Sequence, residues 1–474
     1  MTRGPESAHA CDVQGDFSQD TIVAIATPPG EGGIGVLRLS GPRAREAAGR
    51  LWKGKIPPAE FESHRMYFGK WCDPKTGETL DSGLMVWMQA PRSYTGEEVV
   101  ELQLHGGPLL LGRMLELLLR EGLRAAEPGE FTRRAFLNGK LDLLQAEAVA
   151  ELIHAKSEAA LRNARAQLEG RISSEVQGLR VRVVALCAQL EAAIDFPEED
   201  LELVSCAELA QQVRALEAEL GGWLERFQVG RLLREGVKVA LVGRPNVGKS
   251  SLLNRLLGQD RAIVHPRPGT TRDVIEAWLE WEGLPLQLFD TAGIREGREE
   301  VEQEGIRRSQ RAAEQADLSL WVLDASEPLS AEDLQVAELL RGNILPVANK
   351  MDLVSPAPVW KELPQRPGMS APCQVSAHSG TGLAELKQRI LASLGLEGLR
   401  LREQAFLNNA RHREALERGL EALARARDAL EARQALELPA AELRSACLAL
   451  EGLLGRVGSE DILGEIFSHF CIGK

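Results

Sequence analysis

The order of hydrophobic and polar positions divides the chain into stretches of different period. After residue 20, the runs Thr21–Ala26, Gly35–Leu39, Gly83–Met88 and Val99–Leu104 read as short strands. Between them, Pro42–Trp52 and Pro108–Glu121 have helical spacing. An α/β domain over residues 21–135 is predicted. From about Phe131 to Gly230 the composition turns to Ala, Leu, Glu, Arg and Gln with a 3.6-residue period. Leu143, Ala146, Val149, Ala150 and Ile153 form one apolar stripe, and Leu179, Val183 and Leu186 another. Strand-like runs return at Val237–Val242 and Leu286–Phe289, with a helix-like Ser251–Leu257 between them. From Gly398 to Gly473 the helical composition resumes, as in Glu414–Leu423. Two alike helical segments, 136–232 and 397–474, thus flank an α/β segment at 233–396. One helical bundle with a domain inserted into it is the favoured organisation, and two separate helical units are the alternative.

At 474 residues, two to four domains are expected. No uninterrupted apolar stretch is long enough to span a bilayer. Residues 1–20 lack an apolar core segment and read as a polar extension, not a signal peptide. Cys11, Cys72, Cys187, Cys206, Cys373, Cys447 and Cys471 are scattered, odd in number and never in a Cys-x-x-Cys pair. That argues against a disulfide framework or zinc site and for a cytoplasmic setting. The formal net charge of −13 excludes non-specific coating of nucleic acid, yet allows a local basic patch to dock a structured RNA. Two Tyr leave base stacking to eight Trp and eleven Phe.

The candidate chemistry lies in the α/β segment at 233–396. Gly243-Arg-Pro-Asn-Val-Gly-Lys-Ser250 follows a strand-like run and opens a helix-like one, the context that makes a phosphate-binding loop. Its glycines let main-chain N–H groups close around phosphate oxygens, aided by the positive end of the helix. Lys249 is placed to bridge the β- and γ-phosphates, and the Ser250 hydroxyl to bind magnesium. Asp290-Thr-Ala-Gly293 supplies an acid that reaches the metal through water and, at Gly293, an N–H for the γ-phosphate. In Asn349-Lys-Met-Asp352, the Asp352 carboxylate accepts from both N–H edges of guanine and Asn349 can hydrogen-bond the base. Ser376-Ala377 completes the set. Adenine would leave such polar groups unpaired, a mismatch worth roughly 10⁴–10⁵ in discrimination. GTP is the expected nucleotide, and the segment is expected to be a Ras-like P-loop GTPase domain.

Where Ras-like GTPases carry a water-orienting glutamine, this chain has Ile294, which cannot hydrogen-bond water. Arg295 and Arg298 lie near but neither is assignable as an arginine finger. Acidic groups that could orient water follow at Glu296, Glu299, Glu300, Glu302 and Glu304, any of which could equally be a solvated carboxylate. Outside this segment, Thr27–Gly35 is glycine-rich but precedes a strand, so the dinucleotide-binding reading fails. Alternation puts Arg38 on the face of Val36, opposite Leu37 and Leu39, as a solvated or salt-bridged arginine. Glu127–Glu147, with a Pro-Gly turn and an Asn-Gly break, reads as a rigid junction. The ending Cys471-Ile-Gly-Lys474 is not a prenylation box.

These residues together resemble the bacterial tRNA-modification GTPase family MnmE (TrmE) over nearly the whole chain after Thr21. The resemblance is carried by Thr27-Pro-Pro-Gly with Gly32-Gly-Ile-Gly and Arg38, by Ser93-Tyr-Thr-Gly-Glu97 and Glu101-Leu-Gln, and by Phe131–Leu143. Gly243–Ser251, Gly269-Thr-Thr-Arg-Asp273 and the terminal Cys-Ile-Gly-Lys complete it. It implies an N-terminal folate-binding domain that forms a homodimer, a helical domain, and a GTPase domain inserted in it. It also implies a flavoprotein partner, MnmG, in a heterotetramer. With that partner the family adds an aminomethyl or carboxymethylaminomethyl group at carbon 5 of the wobble uridine of certain tRNAs. The one-carbon donor would be 5,10-methylene- or 5-formyl-tetrahydrofolate. By motif position, Arg38, Glu101, Lys140 and Lys474 would bind folate, with Cys471 nearby as a possible nucleophile.

The same resemblance implies potassium in the place of an arginine finger, held by the Asn246 side chain and the carbonyls of His265, Arg267 and Thr270. Ser250 and Thr271 would hold Mg2+, and Glu302 would orient the attacking water. The GTP site would comprise Asn246, Val247, Gly248, Lys249, Ser250 and Ser251; His265, Pro266, Arg267, Pro268, Gly269, Thr270 and Thr271; Asp290, Thr291, Ala292 and Gly293; Asn349, Lys350 and Asp352; and Ser376, Ala377 and His378. Where the family's loop is more flexible and carries Thr and Asp, this chain reads His265-Pro-Arg-Pro268, and its two prolines fix φ and remove two N–H donors. Two other classes fit the motifs: a regulatory or ribosome-assembly GTPase switch, and a folate-dependent aminomethyltransferase with an accessory GTPase domain.

Overall fold

The computed structural model describes residues 20–195, 205–259, 276–281, 283–290, 314, 316–354, 363–364, 368–396, 405–456, 460–468 and 470–474. It falls into two compact units, one of residues up to Ala150 with Leu454–Lys474, the other of Glu151–Leu453.

In the first unit, strands β1 (Ile22–Ile25), β2 (Gly32–Ser40), β3 (Trp52–Gly54), β4 (Met66–Cys72), β5 (Thr79–Met88), β6 (Val99–Gly106) and β7 (Arg124–Ala125) form one sheet. Its order is β3-β4-β5-β6-β2-β1-β7, antiparallel except for β1 beside β7. Helices α1 (Ala44–Arg50) and α2 (Pro108–Arg120) cover one face. Leu37, Leu39, Met85, Val100 and Leu102 of the sheet pack there against Leu111, Met114 and Leu118. The alternation in β2 is as expected: Leu37 and Leu39 are buried and Arg38 lies on the other face. The helix expected to Trp52 stops at Arg50, and Trp52 begins β3 instead.

After the sheet come α3 (Glu130–Leu137) and α4 (Leu143–His154). The Pro-Gly turn and the Asn-Gly break mark the two ends of α3, where Gly129 and Gly139 take φ of 68° and 67°. This unit therefore continues past residue 135, and the last helix of the chain, Glu460–Ser468, belongs to it. Leu463, Phe467 and Phe470 bury with Leu143 and Ala146.

The second unit opens with α5 (Glu158–Leu168), α6 (Arg171–Asp195) and α7 (Cys206–Glu235). A second sheet follows: β8 (Val237–Val242), β9 (Glu276–Trp281), β10 (Leu284–Asp290), β11 (Leu318–Asp324), β12 (Ile344–Asn349) and β13 (Cys373–Gln374). The order β13-β12-β11-β8-β10-β9 is parallel except for the β9–β10 hairpin. The central strands are buried along nearly their whole length and are mostly apolar, as suits strands covered on both faces. Helices α8 (Lys249–Gln259), α9 (Ala331–Leu339) and α10 (Leu383–Ser393) join them, and α11 (Ala410–Glu431) and α12 (Glu437–Leu454) follow the sheet.

The helices before and after the sheet meet. Gly419 of α11 faces Leu220 of α7, with Arg427–Glu217 and Arg214–Glu431 ion pairs alongside. The chain leaves the α/β part through Phe406, whose N–H donates to Asn163 Oδ1 at 2.7 Å. Its carbonyl accepts from Asn163 Nδ2 at 3.2 Å and Gln167 Nε2 at 2.8 Å.

Candidate functional site

Strand β8 ends at Val242 in the middle of the parallel sheet, where strand C-termini of α/β folds present ligand sites. The chain then turns through Gly243–Gly248 into α8. Asn246 takes φ of 64° and Gly248 of 96°, so the loop uses left-handed backbone at two places. Val247 is buried beneath it. Lys249 opens α8, and its ammonium donates to the carbonyls of Gly243 at 2.7 Å and Arg244 at 2.8 Å. The loop therefore curls around one cation, with the N-terminus of α8 beside it. That donor set fits phosphate. Ser250 follows on the same first turn, and the Asp290 position pairs with Leu241 in register, at the same end of the sheet.

The second half of the site comes from the ends of β12 and β13. Asn349 is 1% exposed. Its Nδ2 donates to the Val247 carbonyl at 2.9 Å, and its Oδ1 accepts from the Ala377 N–H at 3.0 Å. The side chain expected on the base thus ties the phosphate loop to the 376–378 turn, with one amide N–H to spare. Lys350, at φ of 65°, pairs with Asp324 at 2.6 Å. Asp352 accepts from the Ser376 hydroxyl at 2.5 Å. That hydrogen bond first, then His378 and Lys350, holds its carboxyl below the usual carboxylate range, ready to accept from paired N–H donors. His378 is exposed at the rim.

Sequence reasoning missed Asp324, Glu327 and Asp333. Burial pushes the Asp324 carboxyl up, but Lys350 and Ser326 outweigh it and hold it below the ordinary range. Its one sequence signal is a polar residue closing the apolar run of β11. His265–Thr271, Thr291–Gly293, Ile294 and Glu302 with its neighbouring acids lie outside the described residues, as does the Asp290 side chain.

In the first unit, Arg38 and Glu101 are register partners on β2 and β6. Two guanidinium nitrogens of Arg38 reach Glu101 Oε1, each at 2.8 Å, and a third donates to the Gly473 carbonyl at 3.3 Å. Tyr94 and Phe131 rings lie 5.7 and 5.8 Å from the guanidinium. The C-terminus is thus brought to Arg38: Gly473 packs so closely on the Ile25 carbonyl that a Cβ would lie 2.6 Å from it. Lys474 N donates to the Cys471 carbonyl at 3.3 Å, and Cys471 is exposed. Lys140 donates to the Pro91 carbonyl at 3.1 Å. Arg38, Glu101 and the terminal residues therefore meet, whereas Lys140 is engaged at Pro91. Beneath them Arg134, 2% exposed, pairs with Glu97, Glu130 and Asp20.

The parallel sheet, the phosphate loop after its central strand β8 and the Asn-Lys-x-Asp motif at the end of β12 define the class: a P-loop GTPase domain. The rest of the chain is accounted for by relatives and family descriptions. Residues 21–140 match the GTP-binding protein TrmE N-terminus, and 143–471 the MnmE helical domain. The tRNA modification GTPase MnmE of Geobacter sulfurreducens is 44% identical over 461 residues, covering 97% of this chain and all of that protein. Those of Heliobacterium modesticaldum and Aquifex aeolicus are also 44% identical, over 96% of this chain and 99% and 100% of theirs. The chain belongs to the MnmE family of tRNA modification GTPases. Among solved structures, a tyrosine-to-alanine variant of Aquifex aeolicus Era bound to GDP.AlF4- is 27% identical, covering 39% of this chain and 65% of that one, at a TM-score of 0.26.

Proposed function

We propose that this protein hydrolyses GTP in the service of tRNA modification: with a flavoprotein partner, MnmG, it modifies carbon 5 of the wobble uridine. The observation that carries this is the guanine end of the site. Asp352 is oriented by Ser376, and Asn349 of the same motif is tied to the phosphate loop, within a chain 44% identical over 97% of its length to a tRNA modification GTPase.

The α/β domain is read as inserted into one helical bundle, supported by the packing of α7 on α11. Lys249 binds the β- and γ-phosphates, and Ser250 with Thr271 would hold Mg2+, which supplies charge neutralisation between those phosphates. Potassium would be held by Asn246, whose side chain is exposed at the loop, with the carbonyls of His265, Arg267 and Thr270. Glu302 orients the attacking water in place of the glutamine that Ile294 replaces. The one-carbon donor, a tetrahydrofolate derivative, is assigned to the Arg38–Glu101 site with Lys140 and Lys474. Arg and Lys suit its glutamyl carboxylates, a carboxylate suits its pterin N–H edge, and Cys471 stands near as a nucleophile. The homodimer forms through the first unit, and the setting is cytoplasmic; no helix among the described residues is long and apolar enough to cross a membrane.

The test is GTP turnover in potassium and in sodium at matched ionic strength. Several-fold stimulation by potassium, lost in Asn246→Ala, is expected. Equal rates in both salts would remove the potassium site and leave Arg267 as the next residue to examine.

A further inference from the structure

Arg244 belongs to the phosphate loop by its backbone but not by its side chain. Its carbonyl accepts from Lys249, while its guanidinium leaves the loop and pairs with Glu327 and, at 3.3 Å, with Asp333. The Arg244 side chain is 20% exposed and that of Asp333 3%. Asp333 is itself fixed, accepting from the Ser330 N–H at 3.0 Å and hydroxyl at 2.8 Å in the capping box of α9. A few residues earlier in the same turn, Asp324 accepts from Ser326 and holds Lys350. One acidic turn, between the end of β11 and the start of α9, therefore grips the phosphate loop through Arg244 and the base-recognition strand end through Lys350.

We propose that Arg244 is a positioning residue for nucleotide binding: its clamp on Glu327 and Asp333 sets the phosphate loop at its distance from the base loop. This inference rests on the GTPase reading of that site. The clamp is made to Glu327 and Asp333, neither of which is among the residues assigned to phosphate, guanine or the attacking water. Its loss should weaken both nucleotides alike and spare the chemical step. Arg is required because one planar fork must reach two carboxylates, which the single ammonium of Lys cannot do in the same way.

The experiment measures Kd for mant-GDP and mant-GMPPNP, and KM and kcat for GTP, in the full chain and in Arg244→Gln, Arg244→Lys and Glu327→Gln. For Arg244→Gln both Kd values and KM should rise about tenfold, within the range by which contacting residues couple. The kcat at saturating GTP should stay within about twofold, a change too small to implicate the chemical step. Arg244→Lys should recover part of the loss, and Glu327→Gln should weaken binding less in the Arg244→Gln background than alone. Unchanged Kd in Arg244→Gln, a fall in kcat at unchanged Kd, or full additivity of the two substitutions would overturn the inference. Should Arg244→Gln fail to fold, Glu327→Gln at the half-exposed rim decides alone, and wild-type affinity there would overturn it. Failure of the unaltered protein to bind mant-GDP would instead contradict the guanine-nucleotide site itself.

Discussion

At the scale of single residues, the nucleotide site depends on atoms that leave no room for substitution. A Cβ on Gly248 would lie 2.3 Å from Asn349 Nδ2, at a φ of 96° that side chains rarely adopt. Gly248→Ala should therefore break the Asn349–Val247 tie and reduce mant-GDP affinity by at least about a hundredfold, the loss of roughly 2.7 kcal/mol. Isothermal titration would check this, and wild-type affinity would mean that the loop tolerates a Cβ. The motif letters single out the loop, Lys249, Asp352 and Ser376. They name Asn349 for the base but not the tie it makes between the loop and the 376–378 turn, because its partners there are main-chain atoms of Val247 and Ala377, which no side-chain pattern records. Arg244 was illegible for a related reason: the phosphate-loop pattern leaves that position free, and its carboxylates lie far downstream.

At the scale of elements, the exit from the α/β part is a close join. Asn163 and Gln167 of α5 meet the Phe406 backbone as a neighbouring strand would, and a Cβ on Gly230 of α7 would lie 2.1 Å from the Leu407 carbonyl. Asn163→Ala leaves the Phe406 N–H buried without that partner, a cost of about 1–3 kcal/mol. The urea midpoint of the second unit should fall with an unchanged m-value, and an unmoved midpoint would show that the bond contributes nothing. Strand β2 was readable from its buried alternate positions, β1, β5 and β6 from their short apolar runs, and helix α2 from the 3.6-residue spacing of Leu111, Met114, Leu117 and Leu118. Strand β4 was not, since its pattern is inverted: Met66 and Phe68 point outward, 55% and 69% exposed, while Gly69 turns inward under Trp52. Short β3 had been absorbed into the preceding helical run for want of any breaker before Trp52.

At the scale of the whole molecule, the first unit is built from both ends of the chain, and its charges make it acid-sensitive. Burial pushes the Glu130 carboxyl up, but Arg124, the Glu127 N–H and Arg134 outweigh it and hold it low; Arg124 and Arg134 do the same for Asp20. With folded values below unfolded ones, their stabilisation is complete above about pH 4.5 and is lost as pH falls through the lowered values. Hydrogen exchange of residues 130–137 should accelerate over that acid range beyond its intrinsic pH dependence, and Arg134→Gln should flatten the response; protection that rises on acidification would contradict this sign. Deleting Cys471–Lys474 removes the Gly473 carbonyl from Arg38 and should weaken tetrahydrofolate binding, whereas an unchanged Kd would detach the C-terminus from that site. The helical halves were legible as one composition interrupted, but not the packing of residues 454–474 with the first unit, because helical periodicity names an apolar face and not the neighbour that covers it. The central claim, a guanine-specific site, is tested most directly by competing GTP, ATP and xanthosine triphosphate for the full chain and for Asp352→Asn. GTP should prevail over ATP by several orders of magnitude in the unaltered protein, and xanthosine triphosphate over GTP in the variant. Equal affinity for ATP and GTP, or GTP affinity untouched by Asp352→Asn, would contradict it.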